Sequence, residues 1–311
     1  MAEILLSLTI IGVVAAITLP SLTGNINERT WNTQRKALYA RFSQAIALMP
    51  ALNGYGTLTE GDSSTSAVDT AAETFVTAGL AKVLKINNIC DNEHLEDCGI
   101  TSKLTALNGS TINTFPSTFV GLNSMFNGSD SYGYSYSQPD TKAAAFETAN
   151  GESIAVYYNP NCKVKDINTN SSHYMQGDIC ANFIYDLNGT KGPNTVGKDI
   201  GFITALYSTD TIVVAPLPLA NNISGGSSFT QEDAAKACSD YDIESRLPNI
   251  EEAAAIVCNN LLLNLDAQTY WSSTVEYNST SGVNAWDYRI PSGVFNFSPR
   301  DWKKAVRCVK R

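Results

Sequence analysis

The residues best suited to chemistry lie in one Gly- and Asn-rich segment, residues 186–199, which reads Asp-Leu-Asn-Gly-Thr-Lys-Gly-Pro-Asn-Thr-Val-Gly-Lys-Asp. Asp186, Asn188 and Asp199 supply side-chain oxygens, the ligands that Ca²⁺ prefers. The segment lacks the acidic closing residue of an EF-hand, however, and Asn-Gly is above all a signal for a hairpin turn. We therefore favour a structural turn over a calcium site, and we expect no other cofactor.

Cysteines form the second group with potential chemistry. No Cys-x-x-Cys pair or His-rich companion indicates zinc, since the chain has seven cysteines but two histidines. Cys90 and Cys98 are close in sequence, as are Cys162 and Cys180, and such spacing is typical of disulfides that staple loops. We therefore favour an oxidising compartment. The sequence does not fix the connectivity, and three further cysteines remain: Cys238, Cys258 and Cys308.

Two tryptophans, Trp271 and Trp286, are candidates for stacking on a sugar, although large aromatic side chains more often belong to a core. No Ser/His/Asp arrangement, Gly-rich phosphate loop or His-Glu-x-x-His motif occurs in the chain. We therefore predict that the protein is not an enzyme. The net charge of −9 argues against a nucleic-acid partner.

The chain opens with an apolar segment, residues 2–22, whose single charge is Glu3. This segment is long enough to cross the hydrocarbon core of a bilayer as a helix. A secretory signal peptide would need a basic start and a shorter apolar core, so we disfavour that interpretation. A plain transmembrane anchor explains the length but gives no reason for a carboxylate at the tip.

A third interpretation comes from a resemblance. The segment resembles the N-terminus of type IV pilins and type II secretion pseudopilins, carried by Glu3, Gly12 and Pro20, and the likeness covers residues 1–50. It implies that Glu3 pairs with the N-terminal amine of a neighbouring pilin subunit and that Pro20 kinks the helix. It also implies a leader upstream of Met1 that a prepilin peptidase removes, and insertion in the inner membrane with the head outside the cytoplasm.

The rest of the chain divides into three parts. An amphipathic pattern after Gly24 continues the helix to residue 50, which gives a single helix of about 45 residues and roughly 70 Å. Residues 51–215 follow as a first globular region with a helix and strand-like runs at 153–158, 180–186 and 201–207. Residues 216–229 are rich in Gly, Ser and Asn and predict a linker.

Residues 230–311 resemble a C-type-lectin-like fold of the kind found in bacterial surface proteins and formylglycine-generating enzymes. The motifs that carry this resemblance are Arg-Leu-Pro-Asn at 246–249, Tyr-Trp-Ser-Ser-Thr at 270–274, Ala-Trp at 285–286 and Arg-Cys-Val at 307–309. In such folds a cysteine of the first helix is bridged to the last strand. The resemblance therefore implies a disulfide between Cys238 and Cys308.

Together these observations predict an α+β fold: a long N-terminal helix packed on an antiparallel-sheet pilin head, followed by a C-terminal C-type-lectin-like domain. The function predicted is that of a minor or tip pilin-like subunit, or a pseudopilin, whose filament lies at the cell surface or in the periplasm. Its C-terminal domain would bind a glycan or another surface ligand. The alternative is a membrane-anchored carbohydrate-binding or surface-sensing protein that does not polymerise.

Overall fold

The computed structural model describes most of the chain, in several ranges. The described residues are 29–49, 71–112, 128–129, 135–136, 143–158, 179–206, 212–213, 229–241, 245–259, 263, 265–278, 282–290 and 295–310. The first of them form helix α1 (29–49). Its buried residues Leu38, Phe42, Ile46 and Met49 recur at helical spacing, so one face of α1 packs on the body of the protein.

A second, short helical segment packs beside α1. Helix α2 (Ala71–Thr74) continues as a π-helical turn (Phe75–Gly79) and a 3-10 turn (Leu80–Lys82). Gly79 lies against the end of α1, where an added Cβ atom would lie 2.6 Å from Cε of Met49, the flexible tip of that side chain. The absence of a side chain therefore lets the end of α1 approach the second segment closely.

The strands outnumber the helices. The described strands are β1 (Ile86–Cys90), β2 (Leu104–Thr105), β3 (Thr111–Ile112), β4 (Gly128–Ser129), β5 (Ser135–Tyr136), β6 (Ala144–Thr148), β7 (Ser153–Tyr158), β8 (Ile179–Asp186), β9 (Ile200–Leu206), β10 (Ile212–Val213), β11 (Ser245–Arg246), β12 (Thr269–Asn278), β13 (Gly282–Arg289), β14 (Phe295–Pro299) and β15 (Val309–Lys310). Six of them form the main sheet, in the order β1-β6-β7-β8-β9-β10, and every pair is antiparallel.

The main sheet is buried on both faces. Alternate residues of β7 and β8, such as Val156 and Phe183, face α1 and the α2 segment. Their neighbours Ala155 and Ile184 lie on the opposite face, in a cluster that contains residues of the C-terminal region. Burial on both faces explains the nearly continuous apolar sequence of these strands.

The C-terminal region covers the second face of the sheet. It contains helices α3 (Gln231–Tyr241) and α4 (Ile250–Cys258), the antiparallel sheet β12-β13-β14 and the short pair β11-β15. Asn249 begins α4 with a capping box, in which its side chain accepts from the N–H of Glu252 and Glu252 accepts from the N–H of Asn249. Arg246 donates two hydrogen bonds of 2.7 Å to the same Glu252 carboxylate.

One core runs through both regions. Ile256 of α4 and Tyr270 of β12 belong to the same cluster of buried side chains as Tyr157 and Phe202 of the main sheet. The contact also includes polar groups, because Asn182 of β8 hydrogen-bonds Asn259 at the end of α4. The main sheet therefore lies between two layers, α1 with the α2 segment on one side and the C-terminal region on the other.

The predicted fold class was wrong. Most of the regular structure in the described ranges is antiparallel sheet, and the described helices are short, with α2, α3 and α4 spanning 4, 11 and 9 residues. Of the predicted helix of about 45 residues, the described part covers 29–49, and residues 1–28 are not among those described. The prediction was wrong in the share that it assigned to helices, because aromatic and β-branched residues such as those of β12 favour a long strand.

Candidate functional site

The segment singled out in the sequence is a loop that joins two neighbouring strands of the main sheet. Asp186 ends β8 and pairs with Ile200, the first residue of β9. The N–H of Leu187 donates to the backbone oxygen of Asp199 at 3.0 Å. The two ends of the loop are therefore held together by the ladder of the sheet, and residues 187–199 fold back over this edge.

Asp199 stabilises the second half of the loop through its buried side chain. Its side chain is fully buried, and its two carboxylate oxygens accept hydrogen bonds of 2.8 Å from the N–H groups of Asn194 and Thr195. These bonds keep Asn194 in the left-handed region, at φ 48°, which asparagine tolerates better than most residues. Asp199 therefore has a complete structural explanation as a turn-forming residue.

Asp186 does not have such an explanation. Its side chain is 5% exposed, and its Oδ1 atom accepts a hydrogen bond of 3.1 Å from the N–H of Asn188. Its Oδ2 atom is buried and has no hydrogen-bond partner among the described residues. Burial raises the pKa of Asp186 to about 7, the N–H of Asn188 opposes that rise, and the charge of Asp199 adds to it.

Two amide oxygens of the loop also lack a hydrogen-bond donor. The Oδ1 atoms of Asn188 and Asn194 are buried, and neither has a hydrogen-bond partner within the described part of the chain. The Nδ2 group of Asn188 donates to the backbone oxygen of Gly192 at 3.2 Å, which fixes the orientation of this amide. The loop therefore contains three buried acceptor atoms from three side chains that lack a donor.

The loop is also the point at which α1 is tied to the main sheet. The guanidinium group of Arg35 donates hydrogen bonds of 2.7 and 2.8 Å to the backbone oxygens of Gly197 and Lys198. On another side, Thr105 exchanges backbone hydrogen bonds of 2.9 Å with Asn194 and Val196. The conformation of the loop is therefore fixed from α1, from β2 and from the sheet at once.

The structure brings together Asp186, Asn188 and Asp199, the three residues named from the sequence. It adds Asn194, whose signal in the sequence was its place in Gly-Pro-Asn, a turn that favours a residue with positive φ. It also adds Arg35, which lies 162 residues from Gly197 and had no local signal. No three His, Cys, Asp or Glu side chains gather into a metal site within the described ranges, so any cation held here would need the amide oxygens as well.

The two tryptophans occupy different environments. Trp271 is fully buried, its Nε1 group donates to the backbone oxygen of Phe229 at 2.9 Å, and Nζ of Lys304 lies 5.3 Å from its ring. In this structure its ring is enclosed by protein and is not accessible to a ligand. Trp286 is half-buried and its ring lies 5.6 Å from that of Phe297.

Two disulfides lie among the described residues, and their pairs are those named from the sequence. Cys90 is joined to Cys98, and Cys238 of α3 is joined to Cys308, which precedes β15. The second bridge connects residues 70 positions apart and ties the first helix of the C-terminal region to its last strand. The side chains of Cys162 and Cys180 lie outside the described residues, as do Glu3 and Pro20.

None of the helices within the described ranges has the length and apolar character needed to cross a bilayer, and residues 2–22 are not among those described. The sequence matches no protein-family model, and no similar curated protein or solved structure was found.

Proposed function

We propose that this chain is a pilin-like subunit of a filament outside the cytoplasm, either a pilus or a secretion pseudopilus. In this proposal residues 2–22 first hold the chain in the inner membrane and then enter the filament core beside other pilin subunits. A prepilin peptidase would process the chain before assembly. The large body that follows favours a minor or tip subunit, because it would crowd a densely packed filament.

The single observation that carries the proposal is the junction between the apolar segment and the body. The described part of α1 starts at residue 29, shortly after Leu22, and packs its apolar face directly on the main sheet. Arg35 bonds the loop at 197–198, and Arg41 pairs with the buried Glu152. A body joined so firmly to the helix after an apolar segment suits a subunit whose position is set by its N-terminus.

Electrostatics gives the reason for assembly. Glu3 is the single charge in an apolar segment, and insertion scales place the cost of an acid at a helix centre at about 2.5–3.5 kcal/mol. The cost is lower at a helix N-terminus, where the dipole favours negative charge, but a cationic partner would lower it further. The N-terminal amine of a neighbouring subunit is such a partner.

The two disulfides agree with a body outside the cytoplasm. Disulfides persist in the periplasm and at cell surfaces, and they are rare in reducing cytosol. The bridge between Cys238 and Cys308 closes most of the C-terminal region. The proposed location is therefore the inner membrane with the body on its outer side, followed by the filament.

The substitution Glu3→Ala tests this proposal. We expect the variant to remain in the membrane fraction at the wild-type level and to be lost from sheared or cross-linked filaments, because the N-terminal amine of the neighbouring subunit then has no carboxylate to pair with. The matched control is Glu28→Ala, the same change beyond the apolar segment, which should assemble normally. Normal incorporation of Glu3→Ala into filaments would refute the proposal.

A second candidate is a membrane-anchored carbohydrate-binding or surface-sensing protein that does not polymerise. The observation that favours it is the exposure of three aromatic side chains in the C-terminal region: Tyr277 at 75%, Trp302 at 57% and Phe297 at 39%. Exposed aromatic rings are common contacts for sugars and other ligands. Glycan-array binding that is lost in Trp302→Ala, together with normal behaviour of Glu3→Ala, would favour this candidate over the filament subunit.

A further inference from the structure

The loop between β8 and β9 contains buried acceptors that its own hydrogen bonds do not explain. Oδ2 of Asp186 and the Oδ1 atoms of Asn188 and Asn194 are buried without a donor. Native proteins rarely leave buried polar atoms unpaired, because such atoms lose their bonds to water and gain nothing in return. Three such atoms occur within residues 186–199. They therefore point to a ligand that replaces the missing donors.

The contacts of the loop join the residues that carry these atoms. Asp186 binds the N–H of Asn188, and Asp199 binds the N–H of Asn194. The ladder between β8 and β9 joins Asp186 to the residue after Asp199. Both carboxylates and both amides are therefore parts of one small folded unit, and its three unpaired oxygens face away from solvent.

The charge of this unit is uncompensated. Asp186 and Asp199 are both buried, and neither forms an ion pair with any described residue. Arg35 contacts the loop, but it binds the backbone oxygens of Gly197 and Lys198 instead of a carboxylate. Lys191 and Lys198 are exposed. The unit thus combines two acids with neutral oxygen donors and offers no nitrogen or sulfur ligand.

We propose that residues 186–199 bind Ca²⁺, with Asp186, Asn188 and Asn194 as side-chain ligands and Asp199 as the residue that positions Asn194. Ca²⁺ accepts mixed carboxylate and amide oxygens in irregular geometry, whereas Zn²⁺ prefers nitrogen and sulfur, and Mg²⁺ usually keeps several waters. A hairpin turn alone explains the bonds made by Asp199. It does not explain why one oxygen of Asp186 and the Oδ1 atoms of Asn188 and Asn194 are buried without a donor.

Asn194 provides the sharpest test because of its backbone. At φ 48° an alanine would be strained, so Asn194→Ala would confuse loss of a ligand with strain. Asn194→Gly removes the amide oxygen and still permits this conformation. Asn194→Asp keeps an oxygen at the same position, adds a negative charge, and is also tolerated at positive φ. The pair therefore separates the ligand role from the turn role.

The experiment is calorimetric titration of the purified full chain, stripped with EGTA, with CaCl₂, together with melting curves. We expect binding heat, and a rise in Tm of several degrees when Ca²⁺ exceeds its Kd by about 100-fold. Asp186→Asn and Asn194→Gly should weaken binding by at least about tenfold, since ligand charge and number set the affinity of such sites. Asn194→Asp should bind at least as tightly as wild type.

The matched control is Asp91→Asn, which makes the same chemical change as Asp186→Asn in an exposed turn outside the loop. It should bind Ca²⁺ like wild type. The absence of both heat and a Tm shift in wild type would overturn the proposal. So would wild-type affinity in Asn194→Gly or in Asp186→Asn. Each variant is first compared with wild type by circular dichroism, and the conservative Asn194→Asp provides a result if another variant misfolds.

This proposal does not rest on filament assembly. The titration requires neither a membrane nor a second subunit, so a negative result leaves the proposed function untouched. Conversely, normal assembly of Glu3→Ala would leave the Ca²⁺ site standing.

Discussion

A buried polar network between β8 and α4 tests whether the two regions of the chain form one cooperative unit. The side chains of Asn182 and Asn259 are fully buried and exchange two hydrogen bonds, of 2.9 and 3.1 Å. Thr204 donates a third bond of 2.8 Å to Oδ1 of Asn182. The Nδ2 group of Asn259 also donates to the backbone oxygen of Ala255 at 2.8 Å.

These bonds determine how much Asn259→Ala should lower the free energy of unfolding. The substitution leaves Nδ2 of Asn182 buried without an acceptor, at about 1–3 kcal/mol, because Thr204 contacts the oxygen rather than the nitrogen of that amide. Loss of the bond to Ala255 adds about 0.5–1.5 kcal/mol. We expect the free energy of unfolding to fall by about 2–4 kcal/mol. Thr204→Val should cost less, about 0.5–1.5 kcal/mol, since Asn259 still serves the Asn182 oxygen.

The measurement is urea unfolding of the full chain in non-ionic detergent, followed by tryptophan fluorescence and by circular dichroism. Both signals should give one coincident transition, because the main sheet and the C-terminal region share a core. The double variant Asn182→Ala/Asn259→Ala should cost about 1–2 kcal/mol less than the sum of its single variants, since neither amide is then left without its partner. Asn87→Ala, on the exposed side of β1, is the control and should change stability by less than about 0.5 kcal/mol.

Three results would contradict this reasoning. A cost for Asn259→Ala as small as that of the control would mean that the network is not closed in solution. Additive single variants would mean that the two amides do not interact. Two separate transitions would mean that the C-terminal region unfolds independently, in which case the shared core does not couple the two regions.

Two further predictions concern stability. Replacing Cys238 and Cys308 together by Ser should lower the free energy of unfolding by about 4 kcal/mol, and replacing Cys90 and Cys98 should lower it by about 2.5 kcal/mol. The difference arises because the chain entropy that a disulfide removes from the unfolded state grows with the sequence separation, which is 70 residues for the first bridge and 8 for the second. Urea unfolding measures both losses, and equal values would contradict the prediction. Burial raises the pKa of Asp287 above 3.8 although Lys304 lies 3.0 Å away and opposes the rise, so the folded chain holds this proton more tightly than the unfolded chain. The contribution of Asp287 to stability should therefore be largest at low pH and fall as pH rises through the folded pKa, and Asp287→Asn should remove this component from the measured pH profile.

The local elements of the fold are largely readable from the sequence. The strands at 153–158, 180–186 and 201–207 were predicted from apolar runs, and the structure has β7, β8 and β9 at nearly the same residues. The capping box of Asn249 and Glu252 likewise involves residues three positions apart in the sequence. Such features depend on interactions within a few residues, for which the sequence pattern contains most of the information.

The arrangement of these elements is not readable in the same way. The predicted α+β organisation was wrong because helix content was overestimated. The sequence also gave no sign that the second face of the main sheet is covered by the C-terminal region, a contact that joins Asn182 and Asn259 across 77 positions. The apolar side chains on that face, such as Ile184 and Phe202, are compatible with burial against any apolar partner. The identity of the partner depends on tertiary contacts, which no local pattern specifies.

For the candidate site, too, the sequence predicts which residues share a loop but not which hydrogen bonds their atoms form. The residue types predicted that Asp186, Asn188 and Asp199 lie in one turn. The same residue types occur whether the side-chain oxygens accept hydrogen bonds from the turn or have no donor. That difference lies in hydrogen bonds: Asp199 gives both of its oxygens to N–H groups, whereas Asp186 gives one. An aspartate that only formed a turn would gain by pairing its second oxygen with a donor or with water. Its burial without a donor among the described residues is therefore the feature that favours a cation, and the calorimetric titration of Asp186→Asn measures that feature directly.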